Sequence, residues 1–474
     1  MPSSPESRVI SMKNLRSVAS FALRYMAVVG AVVGAATPGA TALRAQPAPS
    51  DHVVLISIDG LRPEFYRDAA AFGAPTIQQM ARNGTHALGV RGVFPSVTYP
   101  SHTTLLTGAT PLRHGIYYNS PFEPQGATGR WYWEADSIKV PTLFSALRKV
   151  GKKTAAVMWP VTVGAPVDFL VPEVWSLDST AERILPMRQL ATPGLVEELE
   201  REATGRLDVR RNFHGDWLTR DDRLGAMAAH ILETRRPALT ALHLIGTDHF
   251  QHEAGRSGDR VARAVSAIDR AVGQLVDAAE RAGILDRTTF IITGDHGFVN
   301  TQLQVNPNVR LAGAGLLDSA RSPTWRTVFH VEGGAAFLHL RDSRDTAAVT
   351  AARRALAAAP AAERRLYRVV ERAELDRIGA DPRVPFALTA SNGVRMGGAR
   401  SGAAVRASSG GTHGHFPTDM PEILTGFVAW GAGVREGMVV PIMDLTDVAP
   451  LIATLLGVPF PALDGVLQSG MLRR

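Results

Sequence analysis

Val53-Val-Leu-Ile-Ser-Ile-Asp59-Gly60 is the stretch whose reading decides the fold. A short run of apolar and β-favouring residues stops at an Asp-Gly pair, as a buried strand does when it leaves a sheet through a loop. Taken alone, Asp59-Gly60 is a turn signal. Outward from it the same kind of run recurs at Lys153-Thr-Ala-Ala-Val-Met-Trp159, Leu239-Thr-Ala-Leu-His-Leu-Ile245, Thr288-Thr-Phe-Ile-Ile-Thr293 and Ile423-Leu-Thr-Gly-Phe-Val-Ala-Trp430. Between these runs, Pro141–Val150, Asp221–Arg235, Arg260–Ala282 and Leu445–Leu456 carry apolar residues at three- and four-residue spacing, the mark of helices with one buried face. Strands alternating with helices predict an α/β fold with a mostly parallel central sheet flanked by helices on both faces.

Ligands in such sheets bind beyond the carboxyl ends of the strands. Asp59, Asp248 and the pair Asp295-His296 each follow a predicted strand, so three acidic groups from distant segments converge on one rim. After Phe298 the alternation becomes irregular. A strand is expected at Gly334–Leu340, an alanine-rich helix over Thr346–Ala361 and a Gly/Ser/Ala-rich mobile loop over Gly397–Gly411. The expected division is a signal peptide at 1–45, a first part of the catalytic domain at 46–297, an inserted cap subdomain at 298–410 and the rest of the catalytic domain at 411–474.

The composition, 45% hydrophobic and 20% charged, is that of a folded globular chain and excludes extensive disorder. The formal charge of +7 is concentrated at the N-terminus, where Arg8, Lys13, Arg16, Arg24 and Arg44 face only Glu6. The remainder is weakly basic and lacks an arginine stripe with interleaved aromatics, so no stable nucleic-acid partner is expected. The basic start, the apolar run Tyr25–Ala36, Pro38-Gly39 and the small-residue pattern Ala40-Thr41-Ala42 read as an export signal cleaved after Ala42 or Ala45. That run falls short of the roughly 20 residues that span a bilayer. The mature chain is therefore expected in the periplasm or secreted, with no transmembrane anchor; an uncleaved anchor is the competing reading. With no cysteine in the chain, any metal site is built from imidazole, carboxylate and hydroxyl groups.

Asp59, Thr98, Asp248, His252, Asp295, His296 and His413 together supply three carboxylates, three imidazoles and a hydroxyl, enough for two adjacent zinc sites. Singly each has a plain explanation: Asp248 as a helix cap, Asp295-His296-Gly297 as a solvated turn. Clustered carboxylates repel one another, and two divalent cations turn that repulsion into attraction. Thr98 lies in Phe94-Pro-Ser-Val-Thr98-Tyr-Pro-Ser-His102, with Pro100 marking a first helical turn, so its hydroxyl is expected near a helix N-terminus where backbone amides favour an anion. Coordination to zinc would make it a nucleophile. Ser96 is the rival hydroxyl, and capping is the structural alternative for both. Asn119 offers an amide donor for a phosphoryl oxygen or serves as a loop amide.

At Ser57-Ile-Asp59-Gly60, Phe94–His102, Thr247-Asp248-x-x-x-His252, Gly294-Asp295-His296-Gly297 and Gly411-Thr-His413-Gly414, in that order, the chain resembles the nucleotide pyrophosphatase/phosphodiesterase family of the alkaline phosphatase superfamily. The resemblance implies that Asp248, His252 and His413 hold one zinc, that Asp59, Asp295 and His296 hold the other alongside Thr98, and that Asn119 binds phosphoryl oxygens. It implies a two-zinc hydrolase that cleaves phosphodiester or pyrophosphate bonds through a covalent phospho-threonine, one zinc activating Thr98 and the other stabilising the leaving oxygen. The implied substrate is a small phosphoester, a nucleotide or a lipid headgroup. A phosphomonoesterase or phosphonate hydrolase of the same superfamily is the alternative. It needs an extra positive pair that the linear sequence does not reveal. His415 is the alternative to His413, and His249 has the wrong spacing from Asp248. His243 stands where nucleotide-hydrolysing relatives tend to carry a tyrosine, leaving Tyr99 as the candidate aromatic platform, with a core role as its alternative.

Overall fold

The computed structural model describes residues 49–123, 128–178, 181–208, 213, 216–318, 325–461 and 463–473, and the expected signal segment at 1–45 lies outside them. Residues 47–474 pack as one compact unit. Its centre is an eight-stranded sheet built from β1 (His52–Ile58), β2 (Thr85–Ala87), β3 (Thr154–Val157), β4 (Phe169–Val171), β5 (Leu239–Leu244), β6 (Thr288–Thr293), β7 (Phe427–Gly431) and β8 (Met438–Val440). The spatial order is β8-β2-β7-β6-β1-β5-β3-β4. The contiguous run from β6 through β1, β5 and β3 to β4 is parallel, while β7 runs antiparallel to both β6 and β2. The predicted α/β class and mostly parallel sheet are what the structure has.

Side chains alternate across a strand, and β1 shows what that does to a run of six consecutive apolar or small residues. Val54, Ile56 and Ile58 point into one hydrophobic core, where they meet the helices α3 (Trp217–Arg235) and α5 (Asp259–Arg281). Val53 and Leu55 point into a second core on the opposite face, formed with α1 (Thr98–Thr107), α2 (Leu143–Lys149) and α6 (Val448–Leu455). Because both faces are covered, β1, β5 and β6 are buried along nearly their whole length. Helix α4 (Gly246–Ala254) leaves β5 directly and carries Asp248 and His252.

Some boundaries differ from the expected ones for identifiable reasons. Helix α3 starts at Trp217, earlier than expected, because the Asp216 carboxylate accepts from the Leu218 and Thr219 amides and caps it. The alanine-rich helix stops at Ala357, and Ala361–Arg364 forms a separate turn, since Pro360 cannot continue the hydrogen-bonded ladder. The strand expected from Ile423 begins only at Phe427, after a 3-10 turn at Pro421–Ile423. The stretch 397–411, expected as a loop, contains a strand at Val405–Ala407 that pairs antiparallel with Val299–Val305. Within 299–412, four strands in the spatial order Tyr367–Glu371, Phe386–Ala390, Ala335–Leu340, Thr327–Glu332 form a separate sheet with its own apolar core.

Candidate metal centre

The carboxyl ends of β1, β5 and β6 present the acidic groups at one rim, as parallel topology requires. Asp59 directly follows β1, and Gly60 continues the chain with φ of +69°. A Cβ at Gly60 would lie 2.8 Å from the Gln251 amide nitrogen, so glycine is needed both for the backbone angle and for the space. The freed amide of Gly60 donates to Asp295 Oδ1 at 3.0 Å, and the His296 amide donates to the same oxygen at 3.0 Å. Asp295 Oδ1 is thereby occupied, and Oδ2, buried and without a partner, faces the rim.

The imidazoles are oriented by the same logic. A backbone carbonyl can only accept, so each ring nitrogen facing one must carry the proton. His252 Nδ1 donates to Gly411 O at 3.0 Å, His413 Nδ1 to Ser96 O at 3.0 Å and His296 Nδ1 to Gly297 O at 3.1 Å. All three therefore turn Nε2 toward the rim, the orientation that metal-bound histidines take when a backbone group holds the other nitrogen. Nε2 of His252 and Nε2 of His413 lie 3.2 Å apart, and both lie near Asp248 Oδ1, at 3.3 and 3.6 Å. His296 Nε2 is 3.2 Å from Asp59 Oδ1 and 3.2 Å from Asp295 Oδ2. A cation placed between His252 Nε2, His413 Nε2 and Asp248 Oδ1 would satisfy all three atoms at once.

Asp59 Oδ1, Asp248 Oδ1, Asp295 Oδ2 and His296 Nε2 are all buried without a hydrogen-bond partner. These are the atoms a metal would take, and two sets come within metal-sharing range of one another: Asp248, His252 and His413, and Asp59, Asp248 and His296. The donor set, oxygen and imidazole nitrogen without thiolate, fits divalent cations of the zinc type. Against the effect of burial, Asp248 raises the His252 imidazole, and Asp295 with Asp59 holds that of His296 well above its ordinary range. Burial, then the charges of Asp248 and Asp295, push the Asp59 carboxyl up to about 7. Burial opposes ionisation of Asp248, but His252, then His413 and His296, outweigh it and hold its carboxyl near about 2. His413 is driven well below the ordinary imidazole range by burial and then by His296 and His252, so it keeps a free lone pair.

Thr98 is the first residue of α1, beside this rim. It lines a pocket of about 490 Å³ together with Asp59, Asp248, His252 and His413. Ser96, the rival hydroxyl, is fully buried and donates to His415 O at 2.7 Å. Asn119 reaches the same pocket: its Oδ1 accepts from the Tyr99 amide at 2.9 Å, which leaves the Nδ2 donors for the pocket. His415 lies apart from the cluster, with Nε2 donating to Val394 O at 3.0 Å, and His249 stacks on Trp217 with ring centres 4.4 Å apart.

Two expectations about aromatic recognition need correction. Tyr99 is fully buried, its ring packed edge-on against Trp131 at 5.0 Å, so it cannot offer a face to a substrate; only its backbone amide serves the site. His243 lies beneath the carboxylates, Nε2 3.2 Å from Asp59 Oδ2 and Nδ1 3.8 Å from Glu173. Those carboxylates, working against burial, raise it to about 10. The aromatic wall of the pocket comes instead from Trp131, Trp175, Phe213 and Trp217. Arg183 and the buried Arg220 line it too, an arginine pair that no linear motif announces.

Comparisons with known proteins bear on this geometry. Residues 53–415 match the family model for type I phosphodiesterase/nucleotide pyrophosphatase. Human ectonucleotide pyrophosphatase/phosphodiesterase family member 1 is 22% identical over 255 residues, covering 52% of this chain and 23% of its own length. Human family member 7 is 25% identical over 270 residues, 55% of this chain and 50% of its own. The chain thus matches half or less of the length of these curated relatives. The solved structure of human ectonucleotide pyrophosphatase/phosphodiesterase 5 superposes with a TM-score of 0.65 at 19% identity, covering 89% of this chain and all of the other. The inactive murine form of that protein, in complex with AMP, gives a TM-score of 0.64 at 18% identity.

Proposed function

Since the chain belongs to the type I phosphodiesterase/nucleotide pyrophosphatase family, we propose that it is an exported two-zinc hydrolase that cleaves phosphodiester or pyrophosphate bonds through a phospho-threonine on Thr98. The observation that carries this reading is the convergence of Nε2 atoms and unpartnered carboxylate oxygens beside the Thr98 hydroxyl. When bound, two divalent cations supply Lewis-acid polarisation of the phosphoryl oxygens and lower the proton affinity of oxygen nucleophiles.

The chain's own groups account for the rest. Asp248, His252 and His413 form one ligand set, and Asp59, Asp295 and His296 the other. The Thr98 oxygen attacks phosphorus as the bond to the leaving oxygen breaks, and water then cleaves the phospho-threonine and restores the hydroxyl. Asn119 Nδ2 donates to a non-bridging phosphoryl oxygen, held in that orientation by the Tyr99 amide on its Oδ1. The tryptophan wall with Arg183 and Arg220 suits a leaving group that is both flat and anionic, and AMP in the murine relative's complex is consistent with a nucleotide. Residues 298–410 are proposed as the inserted cap, and the periplasm or the cell exterior as the location. No helix among the described residues is long and apolar enough to cross a membrane.

Purified protein supplied with zinc should cleave bis-para-nitrophenyl phosphate faster than para-nitrophenyl phosphate. The reverse preference would favour the phosphomonoesterase alternative, and no turnover of either would remove the hydrolase reading. Asn119→Ala should lower kcat by about a hundredfold, the usual loss when one donor to a developing charge is removed. An unchanged kcat in a folded variant would show that Asn119 does not face the phosphoryl group.

A further inference from the structure

A second pocket, of about 580 Å³, opens among the small strands of the 299–412 region and shares no lining residue with the metal-centre pocket. Arg395, Arg400 and Arg406 line it, beside Phe122 and Met396. Guanidinium groups gathered in one cavity repel one another, and proteins ordinarily place carboxylates among them. Here, among the described residues, none of the three has a carboxylate within 4.0 Å, although Arg310 and Arg353 of the same region each pair with one, Glu363 and Glu371. Arg406 is engaged only by a neutral group, donating from Nη2 to Gln304 Oε1 at 3.0 Å. The Nε of Arg395 is buried without any partner.

Glu123 is the one acidic residue among those lining the cavity, and its two oxygens are taken by the amide and the hydroxyl of Thr128, at 2.6 and 2.9 Å. One carboxylate set against three guanidiniums leaves the pocket with an excess of positive charge. Burial, and then Arg406, press the Arg395 guanidinium below its ordinary range, the direction expected when a cation lacks a counter-charge.

We propose that this pocket is a binding site for a small phosphate-bearing molecule, its phosphoryl oxygens held by Arg395, Arg406 and Arg400 and its organic part lying against Phe122 and Met396. Guanidinium forks match tetrahedral oxyanions through paired hydrogen bonds, and a buried, unused N–H is a donor already in place. The volume exceeds what a bare phosphate needs, which leaves room for a carbon skeleton. This site does not depend on the catalytic reading, because none of its residues belongs to the metal centre.

Equilibrium dialysis of the zinc-loaded protein with labelled orthophosphate and with labelled glycerol 2-phosphate tests the assignment. Relative to wild type, Arg395→Ala/Arg406→Ala should bind one fewer ligand per chain, or bind it at least about tenfold more weakly. Loss confined to orthophosphate would identify a site for the free ion, and loss with both ligands a site for phosphomonoesters in general. Turnover of bis-para-nitrophenyl phosphate should match wild type, which certifies that the variant has folded. Should the double variant prove unstable, Arg395→Gln alone should still weaken that one site. Equal stoichiometry and affinity in wild type and a folded variant would overturn the proposal, whether or not the protein proves to be a hydrolase.

Discussion

Thr98→Ala is expected to lower phosphodiester turnover by at least about a thousandfold while leaving the bound-metal content unchanged. The reasoning is geometric. Thr98 opens α1, and in the pocket it shares with Asp59, Asp248, His252 and His413 its oxygen is the one hydroxyl beside both proposed ligand sets. Alanine removes the attacking oxygen and one methyl group but no support for the ligands, because the ligand imidazoles are held by backbone carbonyls and not by the threonine side chain. Thr98→Ser, which keeps the oxygen, should retain a substantial part of the activity. Ser96→Ala should lose little turnover, since the Ser96 hydroxyl is committed to His415 O; its effect belongs to stability, about 1 kcal/mol for one buried hydrogen bond. Steady-state kinetics together with metal analysis check all three variants. Full turnover by Thr98→Ala would end the phospho-threonine proposal even if the metals were found.

The second large effect concerns the histidines. His413→Ala should reduce the metal content from two ions per chain to about one, abolish measurable turnover, and lower the thermal midpoint relative to zinc-loaded wild type. Its Nε2 lies 3.2 Å from that of His252 and 3.6 Å from Asp248 Oδ1, so its loss leaves one set with two ligands. Binding to the folded state alone stabilises it by about 4 kcal/mol when the free ligand stands a thousandfold above its dissociation constant, and that contribution disappears with the ion. His415→Ala makes the contrast. His415 is as deeply buried, but its Nε2 is engaged by Val394 O, so this change should disturb packing and leave two ions bound. Metal analysis and thermal unfolding, with and without a chelator, separate the two cases. Two ions in His413→Ala would overturn the proposed ligand set.

Much of the rim was legible beforehand because its residues follow strands, and strands announce themselves by short apolar runs. Asp59, Asp248 and the Asp295-His296 pair needed only the rule that parallel sheets present their loops at one end. The family resemblance favoured His413 over His415, but the physical reason required the fold: two histidines separated by one glycine have the same chemistry, and only the carbonyls of Ser96 and Val394 direct one imidazole to the rim and hold the other away. Tyr99 misled for a related reason. Next to the nucleophile in sequence, it lies one position on around a helix whose ten residues are all buried, and its ring turns into the core. The ion-pair role of His243 was not legible, because a histidine in the middle of an apolar strand carries no linear signal of the carboxylates beside it.

By itself the amino-acid sequence determined which chemistry is available, a cysteine-free set of carboxylates, imidazoles and one helix-opening threonine, and the order of strands and helices that brings them to one edge. Periodicity and residue type are local properties, and they suffice for both. Which nitrogen of each histidine faces the centre, which arginines share a cavity without a counter-charge, and which aromatics wall the pocket were decided only by tertiary packing. Those are relations between segments that no local pattern links, as far apart as His413 and Ser96, set by hydrogen bonds and burial that exist only once the chain is folded.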